Sequence, residues 1–422
     1  MDLVREAITA GVFRESDTAI ILYDMDALEA GWKALQGAFP QTALAAVAVK
    51  ANPLPPLVTF LAARGAGAEV ASLPELRLAL AAGVPARRIV FDSPAKTVEE
   101  LREAVRLGVH INADNLDELD RLAMITTEAG MPVPSVGLRV NPQIGLGRIR
   151  ATSVAGRYSK FGVPLAQQDR IMAAFARYPW LCGLHVHIGS QGCPLELLVA
   201  GTAAVFDLAE AINRTMGPGR VRLFDIGGGL PAAYDDTALP PDARTYAAAL
   251  RDRCPALFAA PYQIIMEFGR MLHAPCAVAV SRVEYVKRQT GHRTAVLHLG
   301  ADAFVRECYH PKAWPHRAMV LDATGKAKEG RTALWHLAGP LCFSGDFPIR
   351  RARLPQIAPG DLVVIRDVGA YTVSMWSRYN SRQIPRIAGR FGGTFLLLRE
   401  RETPEDVLRF WQGTDPAGTV ND

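Results

Sequence analysis

The residues able to do chemistry gather where apolar runs end. Ala46-Val47-Ala48-Val49-Lys50-Ala51-Asn52-Pro53 closes a run of small and β-branched residues with one lysine and then Asn-Pro. The run reads as a buried strand and the Asn-Pro step as its turn. A lysine at such a strand end is partly desolvated, which lowers its pKa and favours the neutral amine that a Schiff base needs. On this stretch alone, a lysine that snorkels into water is the favoured reading. Other strand ends downstream are polar or rich in glycine: Glu69-Val70-Ala71-Ser72, Arg139-Val140-Asn141-Pro142, His185-Val186-His187-Ile188-Gly189-Ser190-Gln191, Gly227-Gly228-Gly229 and Glu267-Phe268-Gly269-Arg270. Taken singly, each has a plain structural account. Three glycines make a tight turn as readily as a phosphate cradle. A lone His187 fits a core histidine bonded to a carbonyl. Glu267 fits the partner of an arginine.

Together they make a more specific set. Backbone N–H groups of the glycines, with Ser190 and Arg270, suit a phosphate. Glu267 supplies a carboxylate, His187 an imidazole and Lys50 an amine. That combination fits pyridoxal 5′-phosphate, whose aldehyde needs a lysine and whose pyridine nitrogen needs an acid.

These residues must be held by an alternating chain of strands and helices. Strands are expected at 44–50, 68–71, 88–92, 110–112, 135–141, 183–187, 220–226 and 263–267, with helices between them. Eight strand–helix units within about 240 residues predict a (β/α)8 TIM barrel, whose active site lies at the carboxyl ends of its strands. An open doubly wound sheet is the competitor, but it usually has fewer units. After Arg270 the pattern changes to strands at 277–285, 293–299, 333–337, 361–366 and 393–398 with little helix between them. The expected fold class is therefore α/β plus β. The barrel spans 26–275, and a C-terminal β-rich barrel or sandwich domain is built from 276–422 together with 1–25, which contribute a strand near Ile20. Residues 142–158, rich in Gly and Arg, read as a long functional loop.

Composition excludes several classes. The 422 residues carry a net charge of only +5 with scattered Lys and Arg, so no nucleic-acid partner is expected. The start, Met1-Asp2-Leu3-Val4-Arg5-Glu6, lacks a basic region followed by an apolar core, and no run is apolar enough to span a bilayer. Six cysteines at 182, 193, 254, 276, 308 and 342 form no Cys-x-x-Cys pair. No metal site is expected, and a reducing cytoplasm is the simplest setting.

The chain resembles the fold-type III pyridoxal-phosphate amino-acid decarboxylases, the group that contains diaminopimelate and ornithine decarboxylases. The resemblance runs through Ala48-Val49-Lys50-Ala51-Asn52, the His185–Gln191 segment, Ser159-Lys160-Phe161-Gly162, Ile226-Gly227-Gly228-Gly229, and Glu267-Phe268-Gly269-Arg270, where the family has Pro in place of Phe268. In the β-rich part, Gly339-Pro340-Leu341-Cys342-Phe343-Ser344-Gly345-Asp346 is similar to a Cys-x-x-x-Asp segment that reaches into the neighbouring subunit's site. Gly369-Ala370-Tyr371 is similar to a Gly-Ala-Tyr motif. Tyr379-Asn380-Ser381-Arg382 resembles the diaminopimelate branch, and Asp302, Arg306 and Tyr309 match its substrate segment more loosely.

The resemblance implies a homodimer with shared active sites that decarboxylates a small amino-acid substrate at Cα. It implies that Lys50, Glu69, Arg139, His187, Ser190, Gly228, Gly229, Glu267, Gly269, Arg270 and Tyr371 bind the cofactor. Lys50, His187 and Cys342 would be catalytic, with His187 stacked on the ring and Cys342 a proton donor from the partner chain. Arg306, Tyr309, Phe343 and Asp346 would meet the substrate. Related decarboxylases commonly place an acid after the motif cysteine to bind the substrate's distal amine, and here that position is Phe343. A modified or conjugated amino acid, with a distal carboxylate or amide, is therefore expected, with Asp346 as the remaining acid able to take over an amine contact. The alternatives are a diaminopimelate decarboxylase of lysine biosynthesis, an amino-acid racemase, and a regulator that kept the fold without catalysis.

Overall fold

The computed structural model describes residues 2–130, 134–236, 239–259, 261–289 and 291–413. The chain divides into two compact units. Among the described residues, one comprises those of 29–232 and 239–272; the other comprises those of 2–28, 233–236 and 273–413.

After strand β1 (Ala19–Asp24) come the strands of the first unit: β2 (Leu44–Ala48), β3 (Gly67–Val70), β4 (Ile89–Asp92), β5 (His110–Ala113), β6 (Val136–Asn141), the two-residue β7 (Val163–Pro164), β8 (Leu181–His185), β9 (Leu223–Asp225) and β10 (Gln263–Met266). Apart from β7, which pairs only with β6, they form one closed ring of eight parallel strands, because β10 pairs β2 through Ile265↔Leu44. The expected TIM barrel is thus present, with helices returning the chain between strands as parallel pairing demands. Those helices begin where side chains satisfy orphan amides. Thr97 and Glu100 form a capping box at Val98–Leu107, and Ser72 and Asn115 cap Leu73–Ala81 and Leu116–Ala129.

Alternation along the strands decides what lies inside. Leu44, Ala46, Val90 and Ile265 pack into an apolar layer within the ring. Two residues further along the same faces come Asp92 and Glu267, so the core turns polar toward the carboxyl ends. Strand boundaries are shorter than expected. The first ends at Ala48, and Lys50 sits on a single 3-10 turn, Val49–Ala51, rather than in the strand.

The second unit is a nine-stranded mixed sheet built from β1, β11 (Ala277–Gln289), β12 (His292–Leu297), β13 (Ala318–Leu321), β14 (Ala333–Ala338), β15 (Ile349–Leu354), β16 (Leu362–Arg366), β17 (Arg386–Phe391) and β18 (Thr394–Arg399). β1 is central: it runs antiparallel to β11 and parallel to β17. Ile20, Leu22, Val280, Leu321, Leu362 and Val364 bury one face of it with Val4, Ala7 and Phe13. β13, β15 and β17 lay outside the sequence expectation. β15, Ile-Arg-Arg-Ala-Arg-Leu, and β17, which starts and ends near arginines, lack a clean apolar alternation.

Candidate functional site

Lys50 leaves its turn with Nζ 2.7 Å from Glu69 Oε1 at the end of β3. The Glu69 side chain is fully buried and that of Lys50 is 39% exposed. Burial pushes the Glu69 carboxyl up to about 8; the Lys50 ammonium opposes this, while Glu267 and Asp92 add to it. The pair therefore keeps a proton beside the amine at neutral pH.

His187 follows β8. Its Nδ1 accepts a hydrogen bond of 3.0 Å from the Gly228 N–H, which assigns the ring proton to Nε2. Burial, and after it the Arg139 and Lys50 cations, push this imidazole down to about 3. His187 is thus a neutral, flat ring with a fixed tautomer. The same bond corrects the expectation for Gly228, whose amide is committed to the imidazole and is not an open phosphate donor. What Gly228 contributes is space: a Cβ there would lie 2.5 Å from the Glu267 carbonyl oxygen. Gly229 has φ +119°, and a Cβ on it would lie 2.7 Å from the Gly189 oxygen. Buried Arg270 donates from Nε to Ser190 Oγ at 3.1 Å, which joins the two side chains expected at a phosphate. Gly269 lets the chain pass Ala48 and Ala51, since a Cβ would meet Ala51 Cβ at 2.7 Å. Phe268 replaces the family's Pro by packing edge-on against Tyr246, with ring centroids 6.1 Å apart.

Beneath these residues lies a buried polar layer. Glu267 Oε2 stands 3.5 Å from His185 Nε2, and His185 Nδ1 stands 3.7 Å from Asp92 Oδ1. Asp92 Oδ2 accepts from Arg139 Nη1 at 3.1 Å; Arg139 also lies 3.7 Å from Asp114 and under the Phe161 ring. Asp225 accepts from Asn112 Nδ2 and from the Gly227 N–H, each at 2.8 Å. Burial raises the Asp225 carboxyl to about 8, with Glu267 adding to the rise. Burial opposes ionisation of Glu267 too, but His185 outweighs it and holds the carboxyl down at about 2. Glu267 Oε1 is buried without a hydrogen-bond partner among the described residues. An acid whose second oxygen is occupied by a cation and whose first is unclaimed suits a pyridine nitrogen. With the glycine cradle, Ser190–Arg270 and Lys50, the residues present fit pyridoxal phosphate.

Sequence reasoning did not single out Asp92, Asn112, Asp114, Asp225 or the role of His185. Asp92 and Asn112 end expected strands, so the carboxyl-end rule applied to them as well, but they belong to no quoted motif.

In the second unit, Arg306 on the short helix Val305–Tyr309 stacks over the rings of Tyr371, at 4.4 Å, and Trp314, at 5.0 Å. Tyr371 holds φ +61°, a strained value for a side chain of this size. The Tyr309 and Phe343 rings stack at 4.9 Å with planes 17° apart. Cys342 is exposed; its N–H donates to Asn380 Oδ1 and its carbonyl accepts from the Tyr379 hydroxyl. Asp346 departs from expectation. It is buried, Oδ1 accepts from the Ala301 N–H and Oδ2 from the Leu341 N–H, each at 2.6 Å. It ties the loop together and is not disposed to meet a substrate amine.

A family model described as the pyridoxal-dependent decarboxylase, pyridoxal binding domain, matches residues 25–274. A diaminopimelate decarboxylase of Zymomonas mobilis is 31% identical over 89% of this chain and 87% of its own length. That of Pseudomonas aeruginosa is 32% identical over 92% of both. The crystal structure of the Helicobacter pylori diaminopimelate decarboxylase complexed with L-lysine superposes with a TM-score of 0.87 at 27% identity, covering 96% of this chain and 99% of that one.

Proposed function

The chain belongs to the pyridoxal-dependent decarboxylase family and is a carboxy-lyase that removes the α-carboxylate of an amino acid with pyridoxal 5′-phosphate; from that premise we propose that its preferred substrate carries no free ammonium at its far end. When bound, the cofactor supplies an electron sink for the pair left at Cα as carbon dioxide departs. Lys50 would anchor it, with the Glu69 carboxyl, 2.7 Å from its amine, as the neighbouring acid able to donate a proton. Neutral His187 would cover a ring face without adding charge. Ser190, Gly229, Arg270 and Tyr371 would hold the phosphate, and Glu267 Oε1 would meet the ring nitrogen. Arg139 would act by bracing Asp92 and Asp114. Cys342 would return a proton to Cα from the partner subunit of a homodimer, which is in keeping with its exposure in one protomer.

The substrate reading is carried by the segment 342–346. Where an ammonium-binding acid is expected stands Phe343, its ring stacked on Tyr309, and the next acid, Asp346, spends both oxygens on backbone amides. A ring face offers an ammonium about 0.5–2 kcal/mol, less than a dry charge-assisted bond. An acylated or amidated diamino acid, or an amino acid with a distal carboxylate facing Arg306, suits this better. The relatives favour a second substrate, diaminopimelate. Carbon dioxide release decides between them: kcat/KM should be higher for acylated diamino acids than for meso-diaminopimelate, and the reverse order overturns the proposal.

Shared sites predict that Lys50→Ala and Cys342→Ala, each inactive, partly complement after subunit exchange; exchange without recovery counts against them. No helix among the described residues is long and apolar enough to cross a membrane. The six cysteines are free. The cytoplasm is the proposed setting.

A further inference from the structure

We propose that His185, clamped between Asp92 and Glu267, is a positioning residue that drives the proton shared by Glu267 and the cofactor's ring nitrogen onto the nitrogen. The inference rests on the assignment of Glu267 to that nitrogen and goes beyond it. One proton lies between a carboxylate and a pyridine. It is held either as carboxylate and pyridinium or as carboxylic acid and neutral pyridine. Only the first makes the ring a strong electron sink. A buried site favours the uncharged form, because ions there lose their hydration. Something must favour the ionic form, and the imidazolium at 3.5 Å from Glu267 Oε2 does so while leaving buried Oε1 for the ring.

His185 is placed to stay charged. Its side chain is fully buried, both ring nitrogens face carboxylates, and neither is engaged by any other hydrogen-bond acceptor among the described residues. Titratable groups from other strands act on it. From β4 comes Asp92, itself held by Arg139 of β6; from the end of β10 comes Glu267; from β9 comes Asp225; from β5 comes His110. Two residues beyond it, past the end of β8, lies neutral His187. Burial alone would discharge the imidazole, but Glu267, Asp92 and Asp225 outweigh it and lift it to about 9. His110 is pushed the other way by burial, to about 4, and adds no competing cation at neutral pH. The arrangement is carboxylate, imidazolium and carboxylate, and a ring nitrogen bound at Glu267 Oε1 would continue the alternation of charge.

The test uses holoenzyme loaded with pyridoxal phosphate labelled with 15N in the ring, and reads the nitrogen's chemical shift at pH 7.5. In the wild type the signal should lie at the protonated limit. His185→Gln keeps a polar side chain without the charge and should move it toward the unprotonated limit, the proton distribution changing tenfold for each pKa unit lost. A merely structural role would broaden or weaken binding without moving that signal. Glu267→Gln separates the two assignments. If it shifts the nitrogen and a folded His185→Gln does not, the role of His185 is refuted while that of Glu267 stands. If neither shifts it, the assignment of Glu267 itself fails. Should His185→Gln not fold, the imidazole is read in the unmutated protein: His185 must carry both ring protons at pH 7.5, and a neutral ring overturns the proposal.

Discussion

Replacing Lys50 by alanine separates two effects that are easily confused, the loss of an anchor and the loss of a buried ion pair. Removing one partner of a buried ionised pair typically costs about 3–5 kcal/mol, because the other charge is left stranded. Lys50 Nζ and Glu69 Oε1 are 2.7 Å apart and Glu69 is fully buried, so the same penalty looks due here. The Glu69 carboxyl, however, is pushed by burial to about 8 even with Lys50 present. At pH 6.5 it already carries a proton, and taking away the lysine strands no charge. What remains is the packing of a side chain that is 39% exposed, worth about 1 kcal/mol or less. Above pH 8 the two proteins diverge. Wild-type Glu69 ionises beside its lysine, whereas in Lys50→Ala it stays protonated when folded but not when unfolded. The variant therefore loses about 1.4 kcal/mol more for each further pH unit. Urea melts of the cofactor-free proteins, followed by circular dichroism at pH 6.5 and 9, measure the gap, while the cofactor's visible band and turnover should be lost at both. A gap of about 3–5 kcal/mol already present at pH 6.5 and constant to pH 9 would show that Glu69 is ionised throughout, and would refute the reasoning.

The wild-type protein without cofactor should lose stability between pH 6.5 and about 9. His185, raised to about 9, contributes fully below the unfolded value of 6.5 and loses its contribution as pH rises through 9; Asp225, raised to about 8, acts in the same direction up to that pH. A melting temperature that is level or rising across that window contradicts both assignments. Gly229→Ala should cost roughly 1–3 kcal/mol and weaken pyridoxal phosphate binding, since its Cβ would sit 2.7 Å from the Gly189 oxygen at a φ of +119°; unchanged affinity for the cofactor by absorbance titration removes that residue from the cradle. Phe343→Glu should raise kcat/KM for meso-diaminopimelate about tenfold or more by restoring a charge-assisted partner, and a variant with no gain on that substrate tells against the reading of this position.

The barrel was legible in the sequence because its signals are local. Short apolar runs, helices between them and polar strand ends recur in order, and eight such units favour a closed ring over an open sheet. Lys50, Glu69, Arg139, His187, Glu267 and Arg270 were found by the same local rule. Their side chains had to emerge at carboxyl ends, where period-two alternation carries a strand from core to mouth. Tertiary structure decided everything that depended on one strand end meeting another. Asn112 and Asp225 are 113 residues apart and bond only because the ring closes. His185 looked like one more motif residue until Asp92 and Glu267 stood on either side of it. Gly228 read as a phosphate donor, yet its amide belongs to His187; Asp346 read as a substrate acid, yet it holds the Ala301 and Leu341 amides. Residue type and spacing settle which groups reach the barrel's mouth. Whether a carboxylate there faces a ligand, a histidine or a backbone amide is set by distances of 2.6–3.7 Å between residues far apart in the chain, and an oxygen or N–H already engaged in this way has less to offer a ligand.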